Sequence, residues 1–553
     1  MNNKEKVLAF ISFSIACFLT VLDGTIVNVS LPSMAKYFGT DVIGISWVST
    51  AYLIPFSALI LNFSKIADIY GRKKLFIIGL IVFGIASICC GVSISLPMMI
   101  ICRILQGIGA AILTPLAIPL AIEIYGFEGM AKLSIVLGMI ISLAAASGPV
   151  IGGILNEVFG FRAIFYVNIP FILIALILGI KYARECYDKT IEKKIDVIGS
   201  FILTYGLCAL TFLLIKGNDY GWSSNIIMLL IITSLISIVI FLVYESKIKN
   251  PMIDFKLFKT RSFTSSIILI SVIFFAFMPI AYLMNFYLEN QLGYTVLKSG
   301  LILGIISAVA FVMSPMFGLI SKKTSIRVTS FLGIIFVALG DFIFFFLNSG
   351  NSMQIIYSSF VIVGLGVGAT APLYQSAFEE ISLDKNGNAS GILNSLRQLT
   401  ACIAIALTAT LSNHYTTVAI DNTKIQIINK VNDNKVLQQQ LKDIIISDIK
   451  TSKNNSGSGF SKEIVHSLMQ KKEKIVLATV PVNEKTAVTR KFALQEKEIY
   501  NIAHESTIIK NTESNKVYSK CFLIIGIISS FGLLAAPFNT KKKNDKTDLK
   551  VVI

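Results

Sequence analysis

Apolar residues along the chain gather into long blocks separated by short polar breaks. A helix rises 1.5 Å per residue, so about 17–25 apolar positions cross a bilayer core of roughly 30 Å. The pattern predicts spanning helices over residues 7–31, 43–63, 75–95, 97–123, 132–155, 164–182, 197–215, 225–244, 264–288, 298–320, 327–347, 353–378, 389–412 and 519–538. Fourteen spans put both termini on one side. The polar breaks say which side. Basic clusters follow the second span (Lys65, Arg72, Lys73, Lys74), the sixth (Lys181 to Lys194), the eighth (Lys247 to Arg261), the tenth (Lys322, Lys323, Arg327) and the last (Lys541 to Lys543). Alternate short breaks carry only Lys36, Arg162, Lys216 and Lys298. Basic loops stay in the cytoplasm, so both termini are expected there, in a cytoplasmic membrane.

One break is unlike the others. Residues 413–518 are polar and too long for a connection, and the alternation places them outside the membrane on the extracytoplasmic side. Apolar residues recur at helical spacing in KVLQQQLKDIIISDI and FSKEIVHSLM, separated by NNSGSG at 454–459. Two readings stay open, a small helical subdomain or hairpin without cysteine staples, and a largely disordered loop. The expected division is 1–183 for an amino-terminal six-helix bundle, 184–250 for a linker and inserted helices 7 and 8, and 251–412 for helices 9–13. The extracytoplasmic loop at 413–518 follows, then 519–553 for helix 14 and a basic tail. Internal repetition supports two halves: GIGAAILTP (Gly107 to Pro115) and GVGATAP (Gly366 to Pro372) occupy the fourth helix of each once helices 7 and 8 are set aside.

Composition agrees with a polytopic membrane protein. The 553-residue chain is 54% hydrophobic and only 15% charged, with mean hydropathy +0.74, against roughly 25% charged in soluble domains. Its net charge of +17 follows the loop alternation, so it reports topology and argues for no nucleic-acid partner. The start, MNNKEKVLAF, leads into the first span without a small-residue cleavage site, and an uncleaved first helix is expected. The eight cysteines show no metal-ligand spacing. All three histidines, His414, His466 and His504, fall in the long polar break. An intramembrane proton relay would have to use carboxylates, and neither an enzyme nor a cofactor is expected.

Asp23 lies inside the first span, where a carboxylate costs about 2.5–3.5 kcal/mol on insertion scales. Such a group faces a cavity or a partner: it handles protons or cations, or it is neutralised in a helix contact. Arg103 and Gln106 lie one turn apart in the fourth span, and the opposite directions of the first and fourth helices bring Asp23 and Arg103 to depths within roughly 10 Å. An intramembrane pair is the favoured reading; the other is an Arg103 that snorkels to the outer interface. SKIADIYGRKKL at 64–75 combines Asp68, the turn glycine Gly71 and the cations Arg72 to Lys74, which suits either a topological anchor or a gate. SGPVIGG in the fifth span, with Gly148, Pro149, Gly152 and Gly153, reads as a hinge or packing seam. Asn28, Tyr52 and Asn285 are candidate cavity-lining groups, and Asp341 a structural or outer-interface acid.

LDGTIVNVSLP (22–32), SKIADIYGRKK, RILQGIGAA and SGPVIGG, together with FRAIFYVNIP, PMIDFKLFKTRSF and ASGILNSLRQL, resemble the fourteen-helix drug:proton antiporters of the major facilitator superfamily, the EmrB/QacA-like subfamily. Ser64 and Ile69 depart from the usual loop motif, and Phe161 and Ala163 stand where tryptophans are usual. The resemblance implies an all-α major facilitator fold of two pseudo-symmetric six-helix bundles with a two-helix insert and a central, alternating-access cavity. It also implies efflux of amphipathic compounds in exchange for proton entry; one deep acid in an otherwise apolar, aromatic-rich interior suits small lipophilic molecules, cations included. Carried over by position, Asp23, Arg103, Gln106 and Asn28 would serve proton coupling in the cavity, Asp68, Gly71, Arg72 and Lys73 the cytoplasmic gate, and Gly148, Pro149, Gly152 and Gly153 the antiporter hinge. Protons, substrate and lipid are the expected partners of a monomer. A dedicated exporter of one metabolite, antibiotic or lipid is the competing reading, and a sensor or scaffold acting through the extracytoplasmic loop is a third.

Overall fold

Backbone polar groups in a bilayer must find partners within the protein, which leaves helices as the means of crossing for a chain of this pattern. The computed structural model describes residues 2–125, 130–186, 196–248, 251, 253, 255–348, 352–381, 386–451 and 481–539. The described residues are helical with short connections. The elements are α1 (Asn3–Phe38), α2 (Val42–Tyr70), α3 (Arg72–Gly91), α4 (Leu96–Tyr125), α5 (Met130–Phe159), α6 (Ala163–Tyr182), α7 (Val197–Tyr220) and α8 (Asn225–Lys247). They continue as α9 (Arg261–Gln291), α10 (Val296–Lys323), α11 (Ile326–Phe346), α12 (Ser352–Glu379), α13 (Asn386–Asp433), α14 (Gln439–Thr451) and α15 (Val482–Ser530). Thirteen helices among the described residues are long and apolar enough to cross a membrane. The remaining expected span, 132–155, falls within α5.

Polar caps set where the spans begin. Asp41, Ser95, Ser224, Thr295 and Ser325 each accept a hydrogen bond from the backbone amide three residues on, starting α2, α4, α8, α10 and α11. At the other end of α1, Gly39 takes φ 64°, the left-handed conformation that ends a helix and that glycine adopts without a Cβ clash. Prolines mark the breaks: α4 tightens into a 3-10 turn over Thr114–Leu116, and α12 is interrupted before its second segment, Thr370–Glu379.

The repeated glycine segments do equivalent work in the two halves. A Cβ on Gly109 of α4 would meet the Phe83 backbone of α3 at 2.8 Å, and one on Gly366 of α12 would meet the Val337 amide of α11 at 2.7 Å. In each half the fourth helix thus packs backbone to backbone against the third, which small residues permit.

The inserted α7 lies against both halves. Asn62 of α2 bonds Ser200 of α7, while Thr211 and Cys402 are 3.6 Å apart between α7 and α13. Helix α8 packs on α7 and leaves Ile226, Leu229, Leu235, Ile236 and Val239 exposed, an apolar face suited to lipid.

The described parts of 345–353 and 411–521 form a second compact unit. Its core joins Ile427 and Val431 of α13, Leu441, Ile445 and Ile449 of α14, and Phe492, Ile499 and Ile502 of α15. Asn434 caps the turn into α14 by accepting from the amides of Val436 and Leu437, and Lys430 pairs with Glu505 at 2.5 Å. KVLQQQLKDIIISDI therefore supplies a helix with a buried stripe, which favours the helical reading of this stretch over disorder. FSKEIVHSLM lies outside the described residues.

Candidate functional site

A buried charge cluster and a cavity stand inside the bundle, and they share no residue. The first is centred on Asp23, which is fully buried (0%) midway along α1. The capped start of α4 at Ser95 carries Arg103 two turns in, where it is 1% exposed and pairs with Asp23 through Nη1 and Oδ2. The same Nη1 donates to Gln106 Oε1 at 2.7 Å, and Arg103 Nε donates to the Val48 carbonyl at 2.9 Å. Gln106 Nε2 donates to Asp23 Oδ1 at 2.9 Å and to Ser87 Oγ at 2.9 Å, and Asn168 Nδ2 reaches Asp23 Oδ1 at 3.2 Å. The guanidinium also lies 4.2 Å from the centre of the Tyr52 ring, whose hydroxyl donates to the Thr20 carbonyl at 2.9 Å. Asp23 thus accepts three polar contacts from α4 and α6, and Arg103 does not snorkel.

The expected pair of Asp23 and Arg103 is therefore present, enlarged by Gln106 of α4, Ser87 of α3 and Asn168 of α6. Neither Ser87 nor Asn168 was singled out from sequence, although Asn168 is the one amide in the apolar run of FRAIFYVNIP.

The second feature is a cavity of about 90 Å³ between the halves, lined from α1, α2, α9, α10, α12 and α13. Thr20, Gly24 and Thr25 form its α1 wall. Asp23, Arg103 and Gln106 are not among the residues that line it. Successive helical residues are turned by about 100°, so a residue next to a cavity-lining position can face the neighbouring helices. Asn28 does not line it either. Its carbonyl accepts from Asn285 Nδ2 at 2.7 Å and its Oδ1 accepts from Ser49 at 3.1 Å, so it sits in the seam between α1, α2 and α9. Arg397 of α13 does line the cavity, beside the neutral Gln398.

The glycines of SGPVIGG are where three helices meet. A Cβ on Gly148 would strike Thr25 Oγ1 at 2.0 Å, and one on Gly152 would meet the Ile26 carbonyl at 2.9 Å, both on α1. A Cβ on Gly153 would meet the Val296 carbonyl of α10 at 3.2 Å, and one on Gly300 of α10 would meet the Pro149 carbonyl at 2.3 Å. Helix α5 runs unbroken through Pro149. Glu157 accepts from the Leu297 amide at 2.7 Å and Tyr282 bonds the Val42 carbonyl, so the halves are joined at the end opposite the basic loops. Gly152→Leu is expected to force α5 off α1 at an overpacking cost of about 1–3 kcal/mol. The melting temperature of the purified variant should fall accordingly while expression persists.

In the loop after α2, Gly71 has φ 115°, and a Cβ there would meet Glu185 Oε1 at 2.6 Å. Glu185 accepts from the amides of Lys73 at 3.0 Å and Lys74 at 3.1 Å, filling the donors at the start of α3, and the Arg72 amide donates to the Cys186 carbonyl at 2.9 Å. Lys73 Nζ bonds the Ile180 carbonyl at 2.7 Å. Burial pushes the Cys186 thiol up to about 11, with the Arg72 guanidinium pulling against it. Gly71, Arg72 and Lys73 therefore tie α3 to the end of α6 through Glu185, a partner sequence reasoning missed. The Asp68 side chain lies outside the described residues. Asp341 is buried in α11 beside Gly526 of α15, away from the cavity.

A membrane-spanning helical bundle with a cavity between two similar halves and a buried charge pair defines the transporter class. The Major Facilitator Superfamily model matches residues 13–405, and the chain belongs to that family. Among its relatives, the Multidrug resistance protein Stp of Mycobacterium tuberculosis (strain CDC 1551 / Oshkosh) is 29% identical over 415 residues, covering 73% of this chain and 75% of its own. Riboflavin transporter RibZ of Clostridioides difficile (strain 630) is 30% identical over 404 residues, covering 73% and 87%. The fold matches the inward-facing, unoccupied crystal structure of a bacterial homologue of the human lysosomal transporter Spinster, with TM-score 0.58 at 14% identity over 98% of this chain and 100% of that one. The major facilitator fold and the family expected from the motifs are thereby established.

Proposed function

We propose that this transporter exports small amphipathic molecules by alternating access, in exchange for protons that bind at Asp23. The observation that carries the reading is the buried cluster itself, in which a carboxylate inside the bilayer is held by one arginine and two amides. Protonating Asp23 removes the charge that compensates Arg103 and loosens the tie between α1 and α4. Arg103 rests on Tyr52, Tyr52 holds the Thr20 carbonyl, and Thr20 lines the cavity. A proton at Asp23 is thus mechanically linked to the cavity wall. Small-molecule pockets are roughly 300–1,000 Å³, so a cavity of about 90 Å³ dilates to take such a substrate.

In this reading the basic end faces the cytoplasm, the protein acts as a monomer in the cytoplasmic membrane, and the loop anchored on Glu185, with Asp68, Gly71, Arg72 and Lys73, serves the cytoplasmic gate. Gly148, Pro149, Gly152 and Gly153 form the contact on which the opposite end opens and closes. The relation to Stp favours multidrug export, and that to RibZ favours the second reading, a dedicated carrier of one compound. The test is a panel of dyes and antibiotics in an efflux-deficient host and in inverted vesicles with an acidic interior. Accumulation of several unrelated compounds that collapses on adding a protonophore is expected. Gradient-independent accumulation would refute the coupling, and uptake of a single compound would select the dedicated reading.

A further inference from the structure

The two arginines inside the bundle are treated differently. Arg103 has a carboxylate; Arg397 has none. Arg397 is 4% exposed on α13 and lines the central cavity. Its Nη1 donates to the Tyr374 hydroxyl at 2.8 Å, its guanidinium lies 5.0 Å from the centre of the Phe274 ring, and its buried Nε has no partner. Among the described residues no carboxylate contacts it, and none lines the cavity. The other walls are apolar or neutral polar, with Phe277, Phe311, Leu53, Met278, Ser307 and Thr370.

A buried cation without a counter-charge is costly, and an aromatic face and one neutral hydroxyl offset only part of the cost. An anion with an apolar body would complete the site. A carboxylate, sulfonate or phosphate presents oxygens that accept from the planar guanidinium fork, and charge-assisted bonds of this kind are about twice as strong as neutral ones. An aromatic frame on the same molecule has Phe274, Phe277 and Phe311 to pack against. A lipophilic cation would meet the Arg397 charge in a low-dielectric space, where like charges repel strongly.

We propose that the central cavity selects amphipathic anions, with Arg397 as the residue that recognises the negative group, and that lipophilic cations are poor substrates. The proposal rests on the transport reading above for its physiological meaning, but binding can be read without transport. The probes are two xanthene dyes of opposite charge, carboxyfluorescein and rhodamine 6G, titrated by fluorescence anisotropy into the purified full-length protein and also followed as uptake into proteoliposomes. Wild type is expected to bind carboxyfluorescein more tightly than rhodamine 6G. Arg397→Gln should weaken carboxyfluorescein binding roughly ten- to hundredfold and leave rhodamine 6G unchanged or improved. Arg397→Lys, which keeps the charge and loses the fork, should fall between. Unchanged melting temperatures of both variants certify the fold, and the Lys variant carries the test if the Gln variant melts early.

A wild-type preference for rhodamine 6G, absence of carboxyfluorescein binding, or equal carboxyfluorescein affinity in the Gln variant overturns the proposal. Anion binding without gradient-driven uptake sinks the transport reading alone. Gradient-driven uptake of carboxyfluorescein that survives Arg397→Gln sinks this inference alone.

Discussion

Asp23→Asn is expected to abolish uphill export while substrate still exchanges across the membrane down its own gradient. Asparagine keeps the shape of the side chain, and its oxygen can still accept from Arg103, but it neither binds nor releases a proton. The carboxylate it replaces accepts from Arg103, Gln106 and Asn168, and no imidazole lies in any predicted span to take its place. Counterflow with labelled substrate measures exchange; accumulation under an imposed pH gradient measures coupling. The variant should retain the first, at a rate that no longer depends on pH, and lose the second.

The second large effect is on stability. Arg103→Leu leaves the Asp23 carboxylate buried with only amides around it, and removing one partner of a buried pair costs about 3–5 kcal/mol. The melting temperature of the purified protein should drop markedly. Asp23→Leu added to Arg103→Leu should restore much of it, because an apolar pair of similar volume carries no uncompensated charge. The double variant should nevertheless transport nothing against a gradient. Recovery of stability together with recovery of coupled export would mean that the pair is merely structural. A double variant as unstable as Arg103→Leu would mean that the other members of the cluster, not the charge balance, hold α1 to α4.

The spans were legible because the bilayer imposes one solution on the backbone: a long apolar block has to be a helix. Depth was legible too, since helix direction and rise suffice to bring Asp23 level with Arg103. Rotation was not. Polar residues on α1 occur on several faces, with Thr20, Asp23, Thr25 and Asn28 all buried, so nothing in the pattern told which of them faces the cavity and which the neighbouring helices. Thr20 and Thr25 line the cavity, whereas Asp23 turns to α4 and α6 and Asn28 to α2 and α9. Ser87 and Asn168 escaped notice because a single small polar residue in a span has no spacing to distinguish it from a packing residue. Arg397 was visible only as part of ASGILNSLRQL; its meaning depends on there being no carboxylate opposite, and that is a property of six helices together. Glu185 is similar, since it lies more than a hundred residues from the Lys73 and Lys74 amides it accepts from.

In the proposed mechanism substrate movement and proton movement are one event at Asp23. Proteoliposomes containing the purified protein and a trapped pH-sensitive dye, given a transported substrate on one side only and no initial pH difference, measure this directly. Wild type should carry protons in the direction opposite to the substrate and build a pH difference that a protonophore abolishes, while Asp23→Asn should move substrate with no change in dye signal. Substrate flux through wild type with no proton movement, or an undiminished proton signal from Asp23→Asn, would contradict it.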